Sequence, residues 1–121
     1  MSGKVWVLDD SAATAESVVA LLVSEGISAR AILTANEAFH DMASGCLPSV
    51  LLLDLGMAGN GNGLLAAITS EPSWTFPVLI LSGQPKELDA KVRGRVNKVL
   101  TKPTEPLELS RLIRRYLGEK V

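Results

Sequence analysis

The four residues Val50-Leu51-Leu52-Leu53 run without interruption into one carboxylate, Asp54, and then into a glycine-rich stretch. A short unbroken apolar run with a turn signal behind it suits a strand covered by helices on both faces, which is the environment of a parallel sheet. Asp54 then stands at the strand's carboxyl end, where open parallel sheets hold their ligands. From Gly56 to Gly63, four glycines and two asparagines in eight residues predict a loop that visits left-handed conformations and lets backbone approach a ligand closely.

The same design recurs along the chain. Val5-Trp6-Val7-Leu8 is a second apolar run, and it ends in two carboxylates, Asp9 and Asp10. Ser11 can cap the helix that follows, whose apolar face is Ala15, Val18, Val19, Leu22 and Val23 and which Gly26 stops. Ser28 to Leu33 predicts a short strand, placed at the sheet edge because a charge such as Arg30 is costly in the middle. Thr34 with Glu37 forms a capping box for a helix buried through Ala38, Phe39 and Met42 and closed by Gly45. Leu64, Leu65 and Ile68 mark a short helix that ends before Pro72. Phe76 to Leu81 is the next buried strand and delivers Ser82-Gly83 to the carboxyl edge. From Pro85 to Arg95 only Leu88 and Val92 offer an apolar stripe, so that helix is short and weakly specified. Val96 to Leu100 returns to the sheet, Lys102-Pro103 follows, Thr104 caps, and Leu109, Leu112, Ile113, Tyr116 and Leu117 bury the last helix. Five strands alternating with five helices make an α/β domain with a parallel sheet and right-handed crossovers.

Composition bounds the partners. A chain of 121 residues, 47% hydrophobic and 21% charged, is expected to be one domain spanning residues 1–121 with a core that needs no staples. A net charge of -1 gives no general affinity for nucleic acid or anionic membrane. No apolar run is long enough to cross a bilayer and the start lacks a secretory signal, so the expected compartment is the cytoplasm. Cys46 has no second cysteine to pair with, and His40 lies off its helix's apolar stripe; neither is given a chemical role. Lys91, Arg93, Arg95 and Lys98, with Arg111, Arg114 and Arg115, are read as a solvated basic face or a docking surface.

Asp9, Asp10 and Asp54 arrive at the ends of two strands that this topology can place side by side. Crowded like charges raise one another's pKa unless a cation shares the pocket. With oxygen ligands alone, a hard divalent ion, Mg2+, is the cofactor implied, and a backbone carbonyl from the loop after Asp54 could add a ligand. Ser82 contributes a hydroxyl and Lys102 an ammonium at two further strand ends, and together these groups could bind the oxygens of a phosphoryl group.

Asp9-Asp10, Asp54, Ser82 and Lys102-Pro103, each at a strand end of a βα repeat, resemble the receiver domain of two-component response regulators. The resemblance covers nearly the whole chain. It implies a flavodoxin-like, doubly wound five-stranded parallel sheet of strand order 2-1-3-4-5. By the same resemblance, Asp54 accepts a phosphoryl group from the phosphohistidine of a sensor histidine kinase or phosphotransfer protein. Asp10, Asp54 and the Gly56 carbonyl would bind Mg2+, Asp9 would act largely through water, and Ser82 and Lys102 would contact phosphoryl oxygens. Gly83 would leave the site open to a kinase or to water. A homodimer through the fourth and fifth helices is a possible assembly, and no separate enzymatic turnover is implied.

The chain departs from that family where Ala58 replaces a usual proline and the loop after Asp54 carries an insertion. The segment between Ser82 and Lys102 is shortened, and Thr104 stands where phenylalanine is common. Val99 takes the place of an aromatic that swings inward on activation. Two alternatives follow. A receiver-like module that binds partners without phosphorylation would suit Val99 and the shortened segment. A phosphoaspartate phosphatase would need a second acid two residues after the nucleophile, where Gly56 stands.

Overall fold

A computed structural model of the chain describes residues 4–55, 61–83, 90–102 and 105–118. In chain order these form β1 (Val5–Leu8), α1 (Ala12–Ser24), β2 (Ala29–Ile32), α2 (Ala35–Ala43), β3 (Val50–Asp54), α3 (Gly61–Thr69), β4 (Val78–Ser82), β5 (Lys98–Thr101) and α4 (Pro106–Tyr116). All strand pairs are parallel and the order across the sheet is β2-β1-β3-β4-β5, as expected from the resemblance.

Alternation along the buried strands divides the core. Trp6, Leu8, Leu51, Leu53 and Ile80 face α2 and α3, meeting Ala38, Met42, Leu65 and Ile68. Val5, Val7, Leu52, Leu79 and Leu81 face the other layer, meeting Ala15 and Leu22 of α1 and Leu109 and Ile113 of α4. Because both faces are covered, the central strands read as continuous apolar runs rather than alternating ones. The Arg114 guanidinium joins the two helices of the second layer by donating to the Glu25 carbonyl at the end of α1.

The helix termini follow local chemistry. Ser11 Oγ accepts from the Thr14 amide, and Thr34 Oγ1 from the Glu37 amide at 3.1 Å. Gly26 and Gly45, at φ of 81° and 97°, make the left-handed turns that leave α1 and α2. Arg30 lies on edge strand β2, where its guanidinium stacks 4.6 Å from the Trp6 ring and pairs with Asp41.

Several expectations are corrected. Phe39 is 45% exposed rather than part of the buried stripe of α2, and it meets Trp74 edge-on with ring centroids 6.1 Å apart. Val23 is likewise exposed, because α4 covers only part of α1's apolar face. Gly61, Asn62 and Gly63, expected in the glycine-rich loop, belong to α3, and residues 56–60 lie outside the described residues. Between β4 and β5 the expected helix is not formed in the described part, where residues 90–97 hold only a single 3-10 turn, Arg93–Arg95; the Pro85 start lies outside the described residues. Too few apolar residues are present there to give a helix a face to bury. The cap of α4 is Glu105, whose carboxylate accepts from the Glu108 amide at 3.3 Å; Thr104 lies outside the described residues. The basic cluster is not uniformly solvated either. Arg114 is tied to α1, and Arg95 donates to the carbonyls of Trp74 and Phe76 at 2.9 and 2.7 Å.

Candidate functional site

Sheet register assembles the acids. Leu8 and Leu53 are partners across β1 and β3, so Asp9 and Asp54, each one residue further on, emerge side by side at the carboxyl edge. The Asp9 amide donates to the Ile32 carbonyl at 3.1 Å and the Leu55 amide to the Leu81 carbonyl at 3.3 Å, so both acids sit on backbone held by neighbouring strands. Asp10 follows on the exposed rim. One carboxylate oxygen from each of Asp9, Asp10 and Asp54 lies within 4.8 Å of the others.

Across the sheet, Ser82 ends β4 opposite Thr101 of β5, and the Lys102 amide donates to the Ser82 carbonyl at 2.9 Å. That bond fixes where the lysine side chain starts. Its Nζ reaches 3.4 Å from Asp54 Oδ1 and 3.8 Å from Asp9 Oδ2. Asp54, Asp9, Asp10 and Lys102 are therefore one cluster. Ser82 is buried at the end of the adjoining strand. Gly56, expected to add a carbonyl, lies outside the described residues.

Electrostatics follow from this crowding. Burial pushes the Asp9 carboxyl above its usual range, and neighbouring Asp54 pushes the same way. The Ser11 amide, which donates to Asp9 Oδ1 at 2.9 Å, and Lys102 oppose the shift. Among the described residues, three carboxylates gather there, and the Lys102 ammonium pairs with two of them, Asp9 and Asp54. Hard oxygen donors, no histidine or thiolate among them, and an excess of negative charge make a donor set that fits a small divalent cation.

Sequence reasoning missed the walls of this site. Thr14, Val18 and Leu81 line a cavity of about 20 Å³ together with Asp9, Asp54 and Lys102. The volume accommodates about one water molecule. Thr14 carried a signal, since it stands three residues after the Ser11 cap, and its amide and its hydroxyl both donate to Ser11 Oγ.

No family model matches the chain. An uncharacterized 14.6 kDa protein encoded in the sodA1 3' region of Leptolyngbya boryana is 32% identical over 116 residues, covering 93% of this chain and 88% of that protein. Regulatory protein VanR of Enterococcus faecium is 30% identical over 112 residues, covering 90% of this chain; the chain spans about half of VanR, 47% of its length. Among solved structures, a candidate response regulator from Chloroflexus aurantiacus J-10-fl is 25% identical, with 98% of this chain and 100% of that one covered and a TM-score of 0.78. A CheY-like response regulator receiver domain protein from Methanospirillum hungatei JF-1 superposes with a TM-score of 0.81 at 22% identity, covering 94% and 93% of the two chains. The chain has the fold of the response regulator receiver domains. The acid cluster lies at the carboxyl edge of that fold, between its helix layers. No described helix is long and apolar enough to cross a membrane.

Proposed function

We propose that this receiver domain accepts a phosphoryl group on Asp54 from a phosphohistidine of a histidine kinase or phosphotransfer protein. The observation that carries the reading is the approach of Lys102 Nζ to Asp54 at 3.4 Å beside two further carboxylates, because a structural role for any one of these residues does not require the others. In the step itself an Asp54 carboxylate oxygen attacks phosphorus, the phosphorus–nitrogen bond breaks, and the electron pair leaves with the imidazole. In this reading Lys102 and the Ser82 hydroxyl would receive phosphoryl oxygens, the lysine exchanging part of its contact with Asp54 for the new dianion. Asp9, Asp10 and Asp54, with the Gly56 carbonyl, would hold Mg2+, which supplies charge neutralisation for the phosphoryl oxygens. The domain turns over no separate substrate in this reading; the phosphoaspartate biases a conformational equilibrium that an output senses.

The test is beryllium fluoride, a phosphoryl mimic, added with Mg2+ while backbone amide resonances are followed. The expected result is a shift of the Ser82 and Lys102 amides that Asp54→Asn abolishes. The same shifts in the Asp54→Asn variant would remove the assignment. The half-buried Val99 and the 3-10 turn at Arg93–Arg95 favour a second reading, a module that binds partners constitutively. It predicts no response to beryllium fluoride in the unaltered chain.

A further inference from the structure

α2 and α3 share one face of the parallel sheet and each runs back from the carboxyl edge, so their last turns end at the amino edge, away from the acid cluster. Between those ends lies a cavity of about 440 Å³, within the range of small-molecule sites. Phe39 and Trp74 both line it, with ring planes inclined at 70° and centroids 6.1 Å apart, and the buried Met42 lies beneath. Two rings so inclined form an aromatic corner, and ring faces carry negative potential. Glu71 adds a carboxylate, held by the Ser73 amide and hydroxyl, which donate to its Oε1 at 3.4 and 2.8 Å. The last turns of the two helices add the negative ends of their dipoles. Among the described residues that line the cavity there is no cation.

Which cation fits follows from the acceptors already in use. At the end of α3 the Thr69 hydroxyl donates to the Leu65 carbonyl at 2.7 Å, the Ser70 hydroxyl to Ala67 at 2.8 Å and the Ser70 amide to Ala66 at 3.1 Å. At the end of α2 the Gly45 amide donates to the Met42 carbonyl at 3.0 Å, and the Cys46 amide and Ser44 hydroxyl to Asp41 at 2.9 and 2.8 Å. The helix ends thus keep their negative potential while these carbonyls are engaged. An ammonium or guanidinium would give up water for donors left short of partners, a cost that a cation without N–H groups does not meet. We propose that this cavity binds the trimethylammonium group of a small quaternary ammonium compound, its methyls against Phe39 and Trp74 and its charge beside Glu71. None of these residues belongs to the acid cluster, so the inference stands apart from the reading of Asp54 as phosphoacceptor.

The experiment titrates the whole chain with choline and, separately, with 3,3-dimethylbutan-1-ol, its neutral isostere, following the two tryptophan indole N–H resonances and the Ala43 and Ser70 amides. The expected result is that choline shifts the Trp74 indole more than that of the buried Trp6 and binds about tenfold more tightly than the alcohol. Glu71→Gln should reduce that preference about threefold and leave the alcohol unchanged. Phe39→Leu, at an exposed position where the apolar bulk is kept, should weaken choline about fivefold and the alcohol little. Equal affinity for the two probes would make the cavity merely apolar and overturn the inference, as would choline shifts that persist unaltered in Phe39→Leu. Guanidinium binding more tightly than choline would overturn it in favour of an arginine side chain from a protein partner. Absence of any shift at about 50 mM choline would overturn it outright.

Discussion

The strands that carry the acids and the strand that carries the lysine are held in different ways. β1 and β3 are buried residue after residue between two helix layers, so Asp9 and Asp54 stand on backbone that the hydrophobic core immobilises. β5 is an edge strand in which Lys98 and Thr101 are exposed and Val99 and Leu100 only half-buried. Lys102 is brought to the acids by individual polar bonds instead: its own amide to Ser82, the Asn97 amide to the Val78 carbonyl at 2.8 Å, and the Val78 amide to Asn97 Oδ1 at 2.9 Å. The lesson is that the nucleophile is fixed by packing and the lysine by a few directional contacts. Geometry at the first should be insensitive to surface change, and geometry at the second sensitive to it.

Truncating the two kinds of strand is the sharpest way to break this contrast. Leu53→Ala, at a fully buried position of β3, should cost about 3 kcal/mol of unfolding free energy in a denaturant titration, whereas Val99→Ala in β5 should cost about 1 kcal/mol. Equal losses would mean that β5 is as firmly packed as the centre. Next in size is Arg95→Ala, which removes two bonds to backbone carbonyls and a guanidinium lying 5.2 Å from the Phe76 ring. A loss of about 2 kcal/mol is expected, and Arg95→Lys should recover little of it because the planar fork is absent.

A smaller effect of opposite sign concerns Asp9. Its carboxyl is raised above its ordinary 3.8 by burial first, so folding makes it harder to ionise. Its contribution to stability is therefore present at low pH and is lost as pH rises through the elevated value. Without divalent cation, Asp9→Asn should stabilise the protein by about 1 kcal/mol at neutral pH, with a difference that vanishes toward acid. Mg2+ should reverse the ranking by stabilising only the chain that keeps Asp9; thermal unfolding with and without the ion reads both signs. The smallest effect is Ser11→Ala, about 0.5 kcal/mol, since its hydroxyl sits 3.4 Å from the Thr14 amide; it should alter unfolding without altering the acid cluster.

The same division governs what could be read in advance. Apolar runs that end abruptly in Asp9, Asp54 and Ser82 announce strands and their functional edge together, because sheets covered on both faces need uniform hydrophobicity and loops do not. Local rules also carried Ser11, Gly26 and Gly45. Contacts between elements distant in sequence were not legible: Arg95 looked solvated, yet its partners are the carbonyls of residues 74 and 76, and Arg114 finds the end of α1. Phe39 had helical spacing for burial, but its neighbour across the layer is the equally marginal Trp74, so the pair stays at the surface.

Phosphoryl labelling tests the central claim most directly. The chain, incubated with acetyl phosphate and Mg2+, is trapped by reduction of the phosphoaspartate and mapped by peptide mass spectrometry. The account predicts a single modified residue, Asp54, with no label in Asp54→Asn and a label slowed at least tenfold in Lys102→Ala. A label carried by Asp9 or Asp10, or one that persists in Asp54→Asn, would contradict it.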